Sequence, residues 1–381
     1  MNTVDTTPAP VEDHSFFGHP KGLFFLAFTE AWERFSYYGM TALLVLYMVN
    51  QLSLPGHVEQ VAGFAGFRAA LESVTGPLST LALASLIFGL YSGFVYFTPV
   101  FGGLVADRWI GQRNAVVIGA LSMSGGHIAM AFDQTFLLAL LLLIIGSGFL
   151  KGNISAQVGA LYPQDDEARR TRGFAIFSMA INFGAVCGPL ICGFLAQAYG
   201  WHHGFGIAAV FMLAGLATYL YGYRHLPVKV ERREQTDERL SSADWRVVGA
   251  LIGVLAITIF QSTGYYQLYN VFKIWIQDHV DLSVGSFSIP VPWYQSLDAL
   301  VSILAVPLLF AIWRLQSSRR GEPGELAKIG VGAWLAVGSH LILVAAIAAA
   351  GGLAVMLFGR ALGGGAAQPM WPSAMTVEVE T

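Results

Sequence analysis

Apolar runs of membrane-spanning length recur along this chain, and they constrain its fold more than any other feature. A helix needs about 20 mainly apolar residues to cross a bilayer. Nine segments meet this need, at roughly 22–50, 80–105, 113–132, 135–158, 173–198, 203–224, 245–273, 291–313 and 326–350. Only 12% of the residues are charged, whereas a soluble domain carries about 25%. We therefore predict an all-α, polytopic helical membrane protein.

The basic residues alternate between the predicted loops, and this alternation predicts the orientation of the chain. Several Lys or Arg residues lie in each of the loops 106–114, 159–172, 225–246 and 314–328, whereas the intervening loops contain only Arg68. Basic loops of membrane proteins face the cytoplasm. We therefore expect the N-terminal stretch to be a short cytoplasmic tail and not a signal peptide. We also expect a location in the plasma membrane, which is the inner membrane in a bacterium.

The most charged segment, 226–244, separates six predicted spans from those that follow. We predict an N-terminal six-helix bundle over 1–225, a cytoplasmic linker over 226–244 and a partial C-terminal bundle over 245–381. Two bundles that enclose a site near the membrane midplane are the plan of the major facilitator superfamily. The mixed polarity of 51–79 predicts an amphipathic helix on the outer surface.

The first span carries three charges within the stretch EAWERFSYYGM, residues 30–40. Glu30, Glu33, Arg34 and Tyr37 fall on about one third of the helix circumference. Charges inside a span are costly and normally pair within an interior cavity. Arg34 can bond one carboxylate while the other takes up and releases a proton, which would couple proton flow to conformation. The alternative is a static salt bridge that orients the helix.

Two further polar residues lie inside predicted spans. Lys151, in the fourth span, needs an anionic partner from the protein or from a substrate, unless its side chain extends to the interface. Asn182, in the fifth span, can bond a peptide-like group or a neighbouring helix. Tyr91 and Tyr96, in the second span, are either interface aromatics or pocket lining.

The turn GGLVADRWIGQR, residues 102–113, has the character of a gate and hinge. Its glycines allow two spans to approach closely, and Asp107 can meet the N-terminal dipole of the next helix. Arg108 and Arg113 can bind cytoplasmic carboxylates or the phosphates of membrane lipids.

Other classes of function find little support. The formal net charge is −3, and no basic tail indicates nucleic acid as a partner. Cys187 and Cys192 lie five residues apart in one span, on different faces, so neither a disulfide framework nor a metal site is predicted. No nucleophile–base pair or metal-ligand spacing indicates an enzyme.

These stretches together resemble the proton-dependent oligopeptide transporter family, a branch of the major facilitator superfamily. EAWERFSYYGM matches the first-helix pattern ExxERFxYYG at every fixed position. FSMAINFGAVCGP resembles the fifth-helix signature FYxxINxGSxxxP, and PVPWYQSLDAL resembles the eighth-helix pattern WFQSLNP. The similarity extends to about residue 350.

The resemblance implies import of di- and tripeptides by alternating access, with the proton as co-substrate and no prosthetic group. It assigns proton coupling to Glu30, Glu33 and Arg34. It assigns substrate binding to a second set of residues, which comprises Tyr37, Tyr38, Tyr96, Lys151 and Asn182.

Several departures from the family pattern leave alternatives open. Thr41 stands where a basic residue is common, and Tyr266 where a glutamate is usual, while Lys273 and Asp298 add unusual charges nearby. No tenth to twelfth helix follows, so the resemblance implies a truncated chain that is poorly stable and does not transport by itself. The alternatives are a transporter of another solute, such as nitrate or a peptide-like drug, and a non-transporting remnant or membrane sensor.

Overall fold

A computed structural model describes residues 18–163, 165–227 and 241–320, together with scattered residues between 324 and 345. Ten α-helices lie within this described part of the chain: α1 Lys21–Tyr47, α2 Phe64–Thr75, α3 Thr80–Val105, α4 Gln112–Ala129, α5 Phe136–Ala160, α6 Glu167–Tyr199, α7 Trp201–Gly222, α8 Ser242–Gln267, α9 Val271–His279 and α10 Trp293–Arg320. A two-stranded antiparallel hairpin, β1 Ser283–Val284 and β2 Phe287–Ser288, joins α9 to α10. Single π-helical turns extend α1 over Met48–Leu52 and α3 over Ala106–Ile110.

Six of the described helical stretches are long and apolar enough to cross a membrane: Thr80–Ile110, Asp133–Ala160, Glu167–Tyr199, Trp201–His225, Asp244–His279 and Trp293–Gln316. The first and third predicted spans form α1 and α4, which are not among these six stretches. They are less apolar than the six, because α1 contains the charged residues and α4 many small ones. Most residues of α1 are nevertheless buried by the surrounding helices. The chain is therefore a helical membrane protein, as predicted.

The helices α1 and α3 to α7 form a bundle in which α1 packs against α6 and α7, and α5 packs against α3 and α4. Glycines allow the closest crossings. A methyl group at Gly184 of α6 would collide with the carbonyl oxygen of Ala31, and one at Gly102 of α3 would collide with the backbone of Gly148 in α5. The crossing at Gly184 holds α6 against the charged segment of α1.

The seventh predicted span, 245–273, is interrupted in the structure. α8 ends at Gln267, and after three residues the chain continues as the shorter helix α9. From α9 onward, side chains bond the carbonyl groups of the first bundle: Trp293 Nε1 donates to Leu190 O at 2.9 Å, and Ser296 Oγ donates to Val186 O at 2.7 Å. The region from α9 to the first turns of α10 is therefore attached to α6.

The helix predicted within 51–79 is present as α2. Only Phe64 of this helix is buried. Arg68 Nε donates to Glu72 Oε1 at 2.9 Å, and this hydrogen bond lowers the pKa of Glu72. The pairing is a typical one between residues four apart on an exposed helix.

The chain divides into two compact units between Leu308 and Leu309. Our predicted domain boundaries remain a prediction, because residues 228–240 of the linker lie outside the described part. Most of the ninth predicted span, 326–350, and the tail 1–17 also lie outside it.

Candidate functional site

The charged triplet of α1 is buried and internally paired. Arg34 Nε donates to Glu30 Oε1 at 2.9 Å. Glu33 Oε2 lies 2.5 Å from the same nitrogen, but out of line with its N–H bond, so neither oxygen of Glu33 accepts a hydrogen bond within the described structure. Glu33 is fully buried, and Glu30 and Arg34 are nearly so. The two carboxylates therefore differ: only Glu30 is held by a hydrogen bond.

Tyr37 connects the triplet to Lys151. Arg34 Cζ lies 5.6 Å from the centre of the Tyr37 ring, and Lys151 Nζ lies 4.5 Å from the same centre. Lys151 Nζ is also 4.5 Å from the centre of the Tyr96 ring. Such cation–π contacts contribute about 0.5–2 kcal/mol each, less than an ionic partner would supply.

Lys151 Nζ is buried and has no hydrogen-bond partner among the described residues. No described carboxylate forms an ion pair with it either. The formal charges of Glu30, Glu33, Arg34 and Lys151 nevertheless sum to zero. The ammonium group is thus electrically balanced by its surroundings, while its three N–H donors are unused by the described protein groups.

A small cavity of about 60 Å³ lies beside this cluster, between α1, α3 and α8. Its lining consists mainly of tyrosines and includes Tyr37, Tyr38, Thr41, Phe88, Ser92, Tyr96, Tyr265, Tyr266 and Tyr269. The ring of Tyr96 meets that of Tyr266 edge to face, with centres 6.2 Å apart. Of the two tyrosines that the sequence left ambiguous, Tyr96 lines the cavity, whereas Tyr91 is buried in the core.

In the sequence Lys273 is only an unusual charge, whereas in the structure it is buried against α1. Its side chain is 2% exposed. Nζ donates to the carbonyl oxygens of Thr41 at 2.8 Å and Ala42 at 3.2 Å. Gln295 Nε2 donates to Thr41 Oγ1 at 3.3 Å. A positive group from α9 thus lies at the point of α1 where the family resemblance leads us to expect a basic side chain.

Asp298 accepts hydrogen bonds from two tyrosines of the preceding segment. The hydroxyl groups of Tyr265 and Tyr269 each lie 2.6 Å from Asp298 Oδ2. A partial second bundle would be expected to leave the carboxylate of Asp298 without partners, but the structure supplies two. The two hydroxyl groups supply the donors that a carboxylate needs.

Within the described part of the chain, the amide nitrogen of Asn182 forms a hydrogen bond only inside its own helix. Nδ2 donates to the carbonyl oxygen of Ser178, one turn earlier in α6, at 3.1 Å. Asn182 is also absent from the lining of the tyrosine cavity. Its assignment to substrate binding therefore remains a prediction.

The predicted gating turn forms the junction between α3 and α4. Asp107 Oδ1 accepts a hydrogen bond of 3.4 Å from Gln112 Nε2, at the first residue of α4. Arg113 Cζ stacks 4.9 Å above the ring of Tyr223, which follows α7, while Arg108 is exposed. This junction links α3, α4 and α7 at one end of the bundle.

A cluster around Asp133 was not predicted. Asp133 is 7% exposed and lies 2.6 Å from His57 Nδ1 and 3.3 Å from His202 Nε2. The hydroxyl group of Tyr47 also donates to it. The sequence offered one indication of this cluster: all four residues lie within, or a few residues from, predicted loops on the outer side. Within the described ranges, no group of three or more His, Cys, Asp or Glu could hold a metal ion.

Comparison with known proteins agrees with this architecture. The model of the POT family matches residues 113–238 and 228–371. The chain is 31% identical to the uncharacterized transporter YclF of Bacillus subtilis (strain 168), over 88% of this chain and 75% of that protein. It is 30% identical to a di-/tripeptide transporter of Lactococcus lactis subsp. cremoris, over 87% and 76% of the two chains.

A solved structure gives the same fold. The crystal structure of a POT family transporter in complex with a thioalcohol-conjugated peptide superposes with a TM-score of 0.66 and 26% identity, over 89% of this chain and 79% of that one. Helices of spanning length around a buried charged cluster, arranged in this fold, define a membrane transporter of the major facilitator type. The chain belongs to the POT family.

Proposed function

We propose that this protein is a proton-coupled symporter that imports di- and tripeptides by alternating access. The observation that carries the proposal is the state of Lys151, a buried cation without a hydrogen-bond partner among the described residues. It lies beside a paired triplet of charges that contains a carboxylate without a hydrogen bond. These are the two groups that an anionic solute and a proton would need.

The substrate's terminal carboxylate would bind Lys151 Nζ. A carboxylate supplies acceptors for the unused N–H donors, and charge-assisted bonds of this kind are roughly twice as strong as neutral ones. The cavity of about 60 Å³ is smaller than a dipeptide. The binding space would therefore include the surroundings of Tyr96, which is 53% exposed.

The proton would bind Glu33. Protonation there leaves the bond between Arg34 and Glu30 in place, because Glu33 accepts no hydrogen bond from Arg34. It also changes the charge balance around Lys151, which favours entry or release of the substrate carboxylate. Glu33 and Lys151 belong to the same buried cluster of charges. Protonation of Glu33 therefore changes how strongly Lys151 binds the substrate carboxylate, which couples the proton to the substrate.

The proposal places the protein in the plasma membrane, the inner membrane in a bacterium, with a cytoplasmic N-terminus. The positive-inside rule supports this orientation. The junction of Asp107, Arg108 and Arg113 would then lie at the cytoplasmic end, where it would act in gating. The activity is transport and not an enzymatic reaction, and the proton is its only co-substrate.

Uptake of labelled dialanine into proteoliposomes tests the proposal. The chain covers 76% of the Lactococcus transporter, so a second preparation also carries the part of that relative that the match leaves uncovered. Uptake should require an acidic exterior, be abolished by a protonophore and be inhibited by unlabelled dipeptide. Inhibition by nitrate but not by dipeptide, or uptake that ignores the proton gradient in both preparations, would contradict the proposal.

A further inference from the structure

An apolar groove runs along the first bundle between α1 and α6, away from the charged triplet. Its volume is about 510 Å³. Leu23, Ala27 and Phe28 lie on its α1 side, and Ile176, Ala180 and Phe183 on its α6 side. Phe28 and Phe183 expose 42% and 51% of their surface. The groove is therefore accessible from outside the bundle.

The groove has the length of one membrane leaflet. Along α1 it extends from Pro20 to Trp32, which at 1.5 Å per residue corresponds to about 18 Å. One half of the bilayer's hydrocarbon core is about 15 Å thick. An extended acyl chain that entered at the interface would thus reach the inner end of the groove.

The mouth of the groove, at the start of α1, carries Arg169 and Arg172, with the carboxylate of Asp166 also nearby. His19 lies at this mouth, and partial burial together with the charges of Arg169 and Arg172 lowers its pKa. Arg172 lies one helical turn before Ile176, on the same stripe of α6 as Ala180 and Phe183. Arg169 Nε donates to the carbonyl oxygen of Gly18 at 2.7 Å. The apolar lining of the groove thus ends near cationic side chains at the start of α1.

We propose that this groove is a binding site for one anionic phospholipid, with an acyl chain between α1 and α6 and the phosphate at Arg172 and Arg169. The charge at the mouth selects an anionic headgroup, since each basic side chain near the membrane surface strengthens binding of an acidic lipid about fivefold. The length and apolar lining select an acyl chain. The two requirements together distinguish this site from the general lipid-facing surface.

Native mass spectrometry of the purified full chain tests the proposal. The protein is released from detergent in the presence of equal amounts of phosphatidylglycerol and phosphatidylcholine with identical acyl chains. We expect the bound fraction to favour phosphatidylglycerol at least about fivefold, and Arg172→Gln to remove most of that preference. Arg170→Gln is the matched control, because Arg170 faces Gly159 of α5, and it should keep the preference.

The acyl chain is tested separately. Ala180→Trp should fill the groove and reduce binding of both lipids, whereas inorganic phosphate should displace neither. If Ala180→Trp does not fold, a phosphatidylglycerol with a diazirine on its acyl chain should crosslink to peptides of α1 and α6 in the unmodified protein. Equal binding of the two lipids, an unchanged preference in Arg172→Gln, displacement by phosphate, or crosslinks elsewhere would each overturn the proposal.

Discussion

Replacement of Glu33 by glutamine tests the coupling mechanism most directly. Glutamine keeps the shape of the side chain and removes its negative charge, so it imitates a permanently protonated Glu33. Arg34 should remain bonded to Glu30, whose Oε1 accepts its Nε–H at 2.9 Å. We therefore expect a folded protein that can change conformation with peptide but cannot use the proton gradient.

The expected effect on stability is small and distinguishes the two glutamates. Each single variant leaves Arg34 with one carboxylate, so the cost of about 3–5 kcal/mol for an unpaired buried charge is avoided. The two variants differ in the hydrogen bond to the charged Glu30. Arg34 keeps its charge in both variants, so in Glu30→Gln its bond loses the ionic acceptor without becoming a neutral bond. Glu30→Gln should therefore be less stable than Glu33→Gln, by less than about 1.5 kcal/mol. Thermal unfolding in detergent measures the difference.

The expected effect on transport is large. A gradient of one pH unit supplies about 1.4 kcal/mol per proton, which allows up to tenfold accumulation of peptide for one coupled proton. Glu33→Gln should reduce this ratio to one and leave exchange of labelled for unlabelled dipeptide measurable. Glu72→Gln, on the exposed helix α2, is the control and should transport normally.

Two results would refute this reasoning. If Glu33→Gln still concentrates dipeptide against a gradient, Glu33 does not carry the coupled proton. If it loses exchange as well as accumulation while remaining folded, the triplet is a static salt bridge and not a switch.

Three further predictions follow from the packing and charges around the site. Lys151→Ala should weaken binding of free dipeptides by about tenfold or more, and that of C-terminally amidated analogues much less, because only the free dipeptides offer a carboxylate. Equal losses of affinity in a calorimetric titration would mean that Lys151 does not hold the carboxylate. Lys273→Met should raise the midpoint of thermal unfolding. It removes a buried cation that bonds only backbone carbonyls in the described structure, and a hydrophobic replacement of a buried charge is often stabilising. A lower midpoint would show that those bonds outweigh the cost of burial. Gly102→Ala should destabilise the protein by about 1–3 kcal/mol through overpacking against α5. A methyl group at Gly103 meets open space, so Gly103→Ala is the control and should be neutral or stabilising. Equal midpoints of thermal unfolding for the two variants would contradict the close crossing.

Local periodicity made part of this protein predictable. The apolar runs predicted most of the helices, because the need to satisfy backbone groups in lipid leaves a spanning segment few alternatives. The spacing of Glu30, Glu33 and Arg34 predicted their shared face, and they pair in the structure. Both results depend on interactions within one helix, which the order of residues determines directly.

The sequence was less informative about contacts between distant segments. Lys273 bonds Thr41 across 232 residues, and the break between α8 and α9 interrupts a segment whose composition predicts one continuous span. Asp133 lies beside His57, from the segment before α2, and His202, from the first turn of α7. The groove between α1 and α6 is lined by residues of both helices, up to the position before the glycine crossing at Gly184. Only the tertiary structure decided these features, since a buried charge takes whichever donors or acceptors the packing of the helices brings within hydrogen-bond distance.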